Sequence, residues 1–326
     1  MVKGKVMRVR EVASLAVLLA ISTNCLGGCR AGGKEAKGDD GGSSPAARAG
    51  GQGPARPARW AAPRLERVKV IGKMDVPESV VVDPAGGVAY VSNVVAPTGG
   101  YWADDGVGFI ARLKPGGELD ALHWKRRSQR GPLNGPKGMC IFKGNLYVAD
   151  NSRVHSLPLP GAKSAKPVKF PPGRRYNDMA TDGKAVYVSD TAAGKVIRAD
   201  EKGHRLVKAP KGVNGITFFK GKMFAVSWTL HEVYELDPTG KADPKPFGLS
   251  YCFRSLDGIE VLDDGTFIVS DFVGNKVCAI APDRKSVRTI ALVKTPADIG
   301  LDRKRGLLYV PQFEHKQVVV YKLRRQ

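Results

Sequence analysis

The chain has 326 residues, of which 42% are hydrophobic, 39 are Gly and 22 are Pro. This composition is typical of a globular protein with a sizeable core, and the length suits one large all-β domain or two average domains. The formal net charge is +21, but the basic residues are scattered through turns rather than concentrated on a motif. We therefore expect no nucleic-acid binding, and a surface that favours anionic lipids, glycans or small anions.

The first 28 residues have the pattern of an export signal. Four Lys or Arg side chains within residues 1–10 precede an apolar stretch over residues 12–21 that is too short to span a bilayer. Leu26-Gly27-Gly28-Cys29 follows and resembles a bacterial lipobox, in which the Cys is lipidated. We predict a signal peptide over residues 1–28 and a lipid anchor at Cys29 in the cell envelope, facing the periplasm or the surface. An ordinary cleaved signal with a chance Cys is the alternative.

Residues 29–64 are rich in Gly, Ala, Pro, Ser and charged side chains. Such a segment cannot bury enough apolar area to offset the entropy lost on ordering it. We predict a flexible tether here, which leaves residues 65–326 as the folded domain.

The rest of the chain contains an internal repeat. Six segments share a polar or small residue, a short apolar strand, a turn with Gly or Asn, and a second apolar strand. Their first residues, at positions 78, 137, 177, 214, 257 and 297, are 59, 40, 37, 43 and 40 positions apart. A period near 40 is typical of propeller blades with four strands each. The sequence therefore predicts an all-β, six-bladed β-propeller.

The two ends of the repeat predict how the ring closes. The last unit stops after its third strand, and a strand near residues 66–71 has no blade of its own. Pairing these two would complete blade six and protect its edge. The spacing between the first two units is long because residues 93–109 are inserted. This insertion is either a lid over the channel or a surface loop with no such role.

Three cysteines fall in the repeat region, namely Cys140, Cys252 and Cys278. Each lies in or beside a predicted strand, so a small buried hydrophobe is the default interpretation. Whether any of them pair stays open.

The first residue of each inner strand points toward the propeller axis at one mouth of the channel. In chain order these residues are Glu78, Lys137, Asn177, Asn214, Asp257 and Ala297. Two carboxylates and two carboxamides form a hard-oxygen set that suits Ca²⁺, Mg²⁺ or Mn²⁺ better than zinc. The alternative is that the same residues only cap local backbone.

Four motifs, in blade order and at the same repeat phase, resemble the gluconolactonase–regucalcin family of six-bladed propellers. They are Pro77-Glu78-Ser79, Arg175-Tyr176-Asn177-Asp178-Met179, Val213-Asn214-Gly215-Ile216 and Leu256-Asp257-Gly258. The resemblance covers all six blades. It departs from the family pattern after Glu78, where Ser79 follows in place of Gly-Pro, and in the axial Lys137.

The resemblance implies that Glu78, Asn214 and Asp257 hold one divalent cation. Ca²⁺ is the first candidate, with Mn²⁺, Mg²⁺ or Zn²⁺ as alternatives. It also implies that Asn177 contacts substrate or completes the cation shell, that Arg175 binds a substrate oxygen, and that Asp257 is the catalytic general base. We assign substrate binding to Lys137 as well.

These observations predict a monomeric, metal-dependent hydrolase of lactones or similar small esters. The alternative is a non-catalytic envelope propeller that binds a protein, peptide or glycan partner. A shared fold does not choose between them.

Overall fold

The computed structural model describes residues 60–95 and 100–324, which form a β-propeller of six blades. The fold predicted from the repeat is confirmed. The predicted signal peptide, the lipidation site Cys29 and the tether up to residue 59 lie outside the described residues. Within the described part, no helix has the length and apolarity needed to cross a bilayer.

The first half of the ring contains a leading strand and three blades. The leading strand, β1 (Arg64–Ile71), is followed by blade 1, which contains β2 (Pro77–Val82), β3 (Ala89–Asn93), β4 (Phe109–Lys114) and β5 (Glu118–Lys125). The hairpin of β6 (Arg127–Ser128) and β7 (Gly131–Pro132) comes next. Blade 2 contains β8 (Pro136–Phe142), β9 (Asn145–Asp150) and β10 (Arg153–Pro158). Blade 3 contains β11 (Tyr176–Thr181), β12 (Val186–Asp190), β13 (Lys195–Asp200) and β14 (Gly203–Lys208).

The second half of the ring follows the same plan. Blade 4 contains β15 (Val213–Phe219), β16 (Lys222–Ser227), β17 (Glu232–Leu236) and β18 (Lys245–Pro246), and a 3-10 turn, Ser250–Cys252, leads to the next blade. Blade 5 contains β19 (Leu256–Val261), β20 (Phe267–Asp271), β21 (Lys276–Ile280) and β22 (Val287–Leu292). Blade 6 contains β23 (Gly300–Asp302), β24 (Leu307–Gln312), a 3-10 turn, Phe313–His315, and β25 (Gln317–Arg324).

The ring closes through the first described strand. Strand β1 pairs antiparallel with β25, from Arg64 opposite Arg324 to Ile71 opposite Val318, and the sheet order is β1-β25-β24-β23. Blade 6 therefore takes its outermost strand from the N-terminal side of the domain, as predicted. Just ahead of β1, the Trp60 Nε1–H donates to Thr266 Oγ1 of blade 5 at 3.2 Å.

Blade 2 differs from the expected four strands. Its sheet has three strands, in the order β10-β9-β8, and irregular chain follows β10. The β6–β7 hairpin is held beside β10, because Arg130 Nη1 donates to Val154 O at 3.1 Å. A repeat of about 40 residues predicts the length of a blade, but it does not predict whether the residues after the third strand form a fourth strand.

The core lies between blades rather than within them. In the described chain, an apolar cluster fills each junction between neighbouring blades, as where Phe224 of blade 4 packs against Phe267 of blade 5 with ring centroids 4.9 Å apart. The second strand of a blade is thus covered on both faces, which explains why β3, β9, β12, β20 and β24 are buried throughout. The three cysteines predicted to be buried belong to the junction clusters, and all three are buried.

Strand β1 permits a direct test of ring closure. Ile71 is buried in the junction between blades 6 and 1, whereas its neighbour Val70 is 46% exposed. We expect Ile71→Ala to lower the free energy of unfolding by about 2–5 kcal/mol because it leaves a cavity. The matched control Val70→Ala should cost less than about 1 kcal/mol. Urea unfolding measures both, and equal costs would contradict a closure that depends on packing by β1.

Candidate functional site

Each inner strand carries a one-residue bulge at the same place. The register with the second strand shifts by one residue across five pairs of positions, which are 78–79, 137–138, 177–178, 214–215 and 257–258. Blade 6 repeats the shift between the bridge Pro296–Gln312 and the pair Gly300–Tyr309. A bulge of this kind turns two consecutive side chains toward the channel side of the strand.

The second strands hold these bulges. In three blades a buried serine hydroxyl on the second strand accepts the backbone N–H of the second bulge residue. The bonds run from Ser79 N to Ser92 Oγ (2.9 Å), from Asp178 N to Ser189 Oγ (2.9 Å) and from Gly258 N to Ser270 Oγ (2.8 Å). The repeated Val-Ser sequence of the second strand is thereby explained, because the bulge frees an N–H that the ladder no longer satisfies.

The first bulge residues converge on one cavity at a mouth of the channel, which we call the upper pocket. Its volume is about 510 Å³. It brings together all of the site residues predicted in the propeller, namely Glu78, Lys137, Arg175, Asn177, Asn214 and Asp257. Five of the six axial positions thus line the pocket, whereas Ala297 packs in an apolar cluster with Val76, Val94 and Phe313. The chemical roles of the site residues remain predictions.

The floor of the upper pocket is acidic and buried. Glu78, Asn214 and Asp257 are only 5%, 3% and 5% exposed. Burial raises the pKa of Glu78 well above its ordinary value, and the neighbouring Asp257 raises it further, while Lys137 lowers it. Burial, and then the charge of Asp298, raise the pKa of Asp257 to about 8, against a hydrogen bond from the Asn214 side chain.

Two oxygens of this floor have no hydrogen-bond partner. They are Glu78 Oε2 and Asn214 Oδ1, and both are buried. Buried acceptors are nearly always satisfied, so such a pair is the feature expected where a cation binds. The donor set of two carboxylates and one carboxamide suits a hard divalent cation. In the described chain, no group of three or more His, Cys, Asp or Glu side chains is arranged to hold a metal, so a cation bound at this floor would need the amide oxygen of Asn214 as its third ligand.

Lys137 is occupied in holding the inserted loop. Its ammonium donates to Tyr101 O and to Gly135 O, both at 2.9 Å, and lies 4.0 Å from the centroid of the Trp102 ring. Burial lowers its pKa to about 8, although Glu78 acts in the opposite direction. Its donors point into the protein, so the structure gives this side chain a positioning role for the loop.

The inserted loop covers one side of the upper pocket. Tyr101 and Trp102 line the cavity, and Asn151 Nδ2 of blade 2 donates to Ala103 O at 2.9 Å and to Asp104 Oδ1 at 2.8 Å. Of the two interpretations of this insertion, the described residues favour the lid.

Arg175 and Asn177 stand on the blade 3 side of the pocket. Asn177 is buried, while Arg175 is exposed, with its guanidinium carbon 5.3 Å from the centroid of the Trp102 ring. Asp190 accepts the backbone N–H groups of Arg174 (2.8 Å) and Arg175 (3.1 Å). The loop before β11 is therefore fixed, and the Arg175 side chain remains available at the mouth.

The aromatic wall of this pocket was not predicted from the sequence. Trp228, Phe272 and Phe313 line it together with the two aromatic residues of the lid. Each of the three follows the last residue of a second strand, after Ser227, Asp271 and Gln312 respectively. The sequence does contain a signal for this wall, because an aromatic residue recurs at the same repeat position in blades 4, 5 and 6. That position lies outside the inner strands from which the site residues were predicted.

A second acidic pair separates the upper pocket from a lower one of about 480 Å³, which Asp178 and Asp298 also line. These two side chains are hydrogen-bonded to each other. Asp298 Oδ2 also accepts Ser79 Oγ–H at 2.6 Å, and Asp178 Oδ2 accepts Ile216 N–H at 2.6 Å. Burial raises the pKa of Asp178 well above its ordinary value and that of Asp298 to about 7, so the pair retains a proton at neutral pH.

Glycines make room for this pair. Three of the six second bulge positions are Gly138, Gly215 and Gly258. A Cβ at Gly138 would lie 2.3 Å from Asp178 Oδ1, and one at Gly258 would lie 2.6 Å from Asp298 Oδ1. The carboxyl groups therefore occupy the space that side chains at these positions would need.

A Ser-His-Asp chain in blade 2 was also not predicted. Ser128 Oγ lies 2.6 Å from His155 Nδ1, and His155 Nε2 lies 2.9 Å from Asp150 Oδ2 but without the geometry of a hydrogen bond. Asp150 also accepts the N–H of Gly135 at 2.6 Å. The adjoining cavity is only about 50 Å³, too small for a substrate, so we interpret the chain as the support of the β6–β7 hairpin.

The comparisons with known proteins show the fold. No family model matches the chain, and no curated protein matches it. Among solved structures, a protein named as a gluconolactonase is 16% identical with a TM-score of 0.59, and the alignment covers 82% of this chain and 96% of that one. A gluconolactonase from Xanthomonas campestris is 15% identical with a TM-score of 0.58, covering 83% and 98%.

A third similar structure is virginiamycin B lyase from Staphylococcus aureus, at 13% identity and a TM-score of 0.53, covering 80% of this chain and 100% of that one. At these identities the likeness concerns architecture. Gluconolactonases are thus among the structural neighbours of this propeller, in agreement with the resemblance drawn from the motifs.

The lid anchor is testable by hydrogen exchange. Lys137→Met keeps the apolar stem but removes the bonds to Tyr101 O and Gly135 O. Because hydrogen bonds to a charged group contribute about 1.5–3 kcal/mol each, we expect amide exchange over residues 100–106 to accelerate roughly tenfold to hundredfold. Lys208→Met, which removes an exposed ammonium from blade 3, should leave it unchanged. Unaltered exchange in Lys137→Met would refute the anchoring role.

The acidic pair predicts a pH dependence of stability. Its pKa values are raised in the folded protein, so its stabilising contribution is complete below about pH 4 and is lost as the pH rises through about 7. In chelator-treated protein, Asp298→Asn should flatten this decline by up to about 1.4 kcal/mol per pH unit, the value for one proton. Asp243→Asn, at an exposed carboxylate, serves as the control. Identical slopes of unfolding free energy against pH would contradict the prediction.

Proposed function

We propose that the protein is a metal-dependent hydrolase of lactones or similar small esters, with one divalent cation at the upper mouth of the propeller. The observation that carries this proposal is the floor of the upper pocket. There Glu78 and Asn214 carry buried, unpartnered oxygens beside Asp257, at the floor of a cavity large enough for a small molecule. A purely structural ring would have satisfied or replaced these atoms, because a buried unpaired acceptor costs about 1–3 kcal/mol.

Glu78, Asn214 and Asp257 would hold the cation, with Ca²⁺ as the first candidate. When bound, a divalent cation supplies Lewis acidity toward the carbonyl oxygen of the substrate. It also favours the ionised form of nearby carboxyl groups, which matters because burial alone raises the pKa of Asp257.

The protein side chains would carry out the proton transfers and the orientation. As general base, Asp257 takes a proton from water while the water oxygen bonds to the carbonyl carbon. The ring C–O bond then breaks and the leaving oxygen receives that proton, so that the product is a hydroxy acid. Its carboxyl group then releases the second proton of the water to solvent, which leaves a carboxylate. Asn177 and Arg175 orient the substrate oxygens, and Lys137 keeps the lid over the pocket.

Two further features belong to this proposal. The structural neighbours named as gluconolactonases support a lactone substrate. The predicted lipid anchor at Cys29 would place the monomeric enzyme in the cell envelope. The alternative is a propeller that binds a protein, peptide or glycan partner in the envelope without catalysis.

The proposal is tested at Asp257. In Asp257→Asn, hydrolysis of a lactone panel, followed by acid release, should fall by about 10²–10⁴-fold, and calorimetric Ca²⁺ binding should weaken in parallel. The matched control is Asp263→Asn in the same blade, where the carboxylate is 73% exposed, and it should leave both unchanged. Retention of cation binding and of hydrolysis by Asp257→Asn would show that the assignment is wrong.

A further inference from the structure

The upper pocket has two chemically different sides. On the side of blades 2 and 3, Lys137 and Arg175 place their charges against the Trp102 ring. On the side of blades 4, 5 and 6, the wall is built from Trp228, Phe272 and Phe313. Since the Lys137 ammonium is occupied by the lid, a ligand in this cavity meets the exposed Arg175 guanidinium on one flank and hydrocarbon on the other.

The aromatic rings form a continuous arc. Tyr101 meets Phe313 edge to face at a centroid distance of 4.7 Å, Phe313 meets Phe272 at 5.6 Å, and Phe272 meets Trp228 at 5.2 Å. The rings thus support one another at the distances that aromatic pairs prefer. The wall is preformed, so an apolar ligand group would not have to order it.

The arc continues outward onto the rim. Leu230, Tyr251 and Val273 are 40%, 58% and 48% exposed. Leu230 lies in the loop that also carries Trp228, Val273 lies in the loop that carries Phe272, and Tyr251 lies in the 3-10 turn leading to blade 5. All three lie in the loops and the turn of blades 4 and 5, close in sequence to the residues of the wall.

This wall is poorly suited to a polyhydroxylated ring. Within this wall the polar side chains are Thr229 and Glu314, and the other polar lining residues belong to the floor and to the side of blades 2 and 3. A sugar lactone needs a partner for each hydroxyl that it buries against the wall. Binding of an alkyl or aryl substituent against this wall is instead favourable, because each apolar group removed from water stabilises the complex.

We propose that the upper pocket takes lactones or esters that carry an extended apolar substituent, with the chain lying along the aromatic arc and leaving over the rim of blades 4 and 5. This inference rests on the proposed function for the identity of the scissile group, and on the wall for the substituent. Trp228, Phe272 and Phe313 are then specificity residues, and Leu230 and Val273 contact the far end of a long chain.

Binding of non-hydrolysable probes tests the substituent without turnover. The full-length protein is titrated calorimetrically, with Ca²⁺ and again with a chelator, using γ-lactams that carry butyl, hexyl or octyl chains, and glucono-lactam. We expect affinity to rise by up to about fourfold per added methylene and glucono-lactam to bind more weakly than the octyl probe. Affinity that is independent of chain length, or a preference for glucono-lactam, would overturn the inference.

Variants locate the chain. Trp228→Ala should weaken all three alkyl probes, by at least tenfold for the octyl lactam. Leu230→Ser and Val273→Ser change only exposed side chains, so they should fold normally and weaken the octyl probe while leaving the butyl probe unchanged. Leu292→Ser, at a side chain that is 83% exposed on blade 5, is the control. Rim variants that bind every probe as the unmodified protein does would refute the proposed path of the chain.

The two proposals fail separately. If the lactams bind with the expected chain-length dependence but no lactone is hydrolysed, the substituent inference is supported and the hydrolase is refuted. If gluconolactone is hydrolysed with a higher kcat/KM than the alkyl lactones, the hydrolase is supported and the substituent inference is refuted.

Discussion

The bulge in every inner strand is the constraint on which the rest of the structure depends. A regular strand would send consecutive side chains to opposite faces, and only one residue in two would reach the channel. With the extra residue, the first member of the pair lines the upper pocket, as Asn177 does, and the second lies deeper, as Asp178 does. One backbone irregularity repeated around the ring thus produces two layers of channel chemistry, and the serines of the second strands stabilise it by accepting the freed N–H groups.

The two layers solve the problem of buried carboxyl groups differently. In the deeper layer, Asp178 and Asp298 share a proton, and their remaining oxygens accept bonds from Ser79 and from backbone N–H groups. In the upper layer, Glu78 and Asn214 lack such partners. Both layers lie within a strongly basic chain, yet a net charge of +21 does little for groups in a dry channel, where local desolvation sets the pKa.

Repeat phase predicted more of this molecule than composition did. The spacing near 40 residues predicted six blades, the unpaired strand near residue 66 predicted closure through β1, and the first residue of each inner strand predicted the pocket floor. The aromatic wall, the shared proton of Asp178 and Asp298, and the third strand as the last of blade 2 were not predicted. These features depend on contacts between blades and on loop paths, which a periodic pattern of strands does not contain.

Lys137 shows that a repeat pattern without loop paths also limits how well the chemical role of a residue can be predicted. Its phase placed it correctly in the axial ring, and a cation beside two carboxyl groups suggested substrate binding. The lid changes this interpretation, because Tyr101 O and the Trp102 ring take up the ammonium, and the lid itself comes from an insertion outside the repeat. A side chain whose polar atoms are all engaged by the protein is explained by the fold, whereas Glu78 Oε2 and Asn214 Oδ1 remain buried and unpartnered. The proposed cation is a ligand that would satisfy both of these oxygens at once.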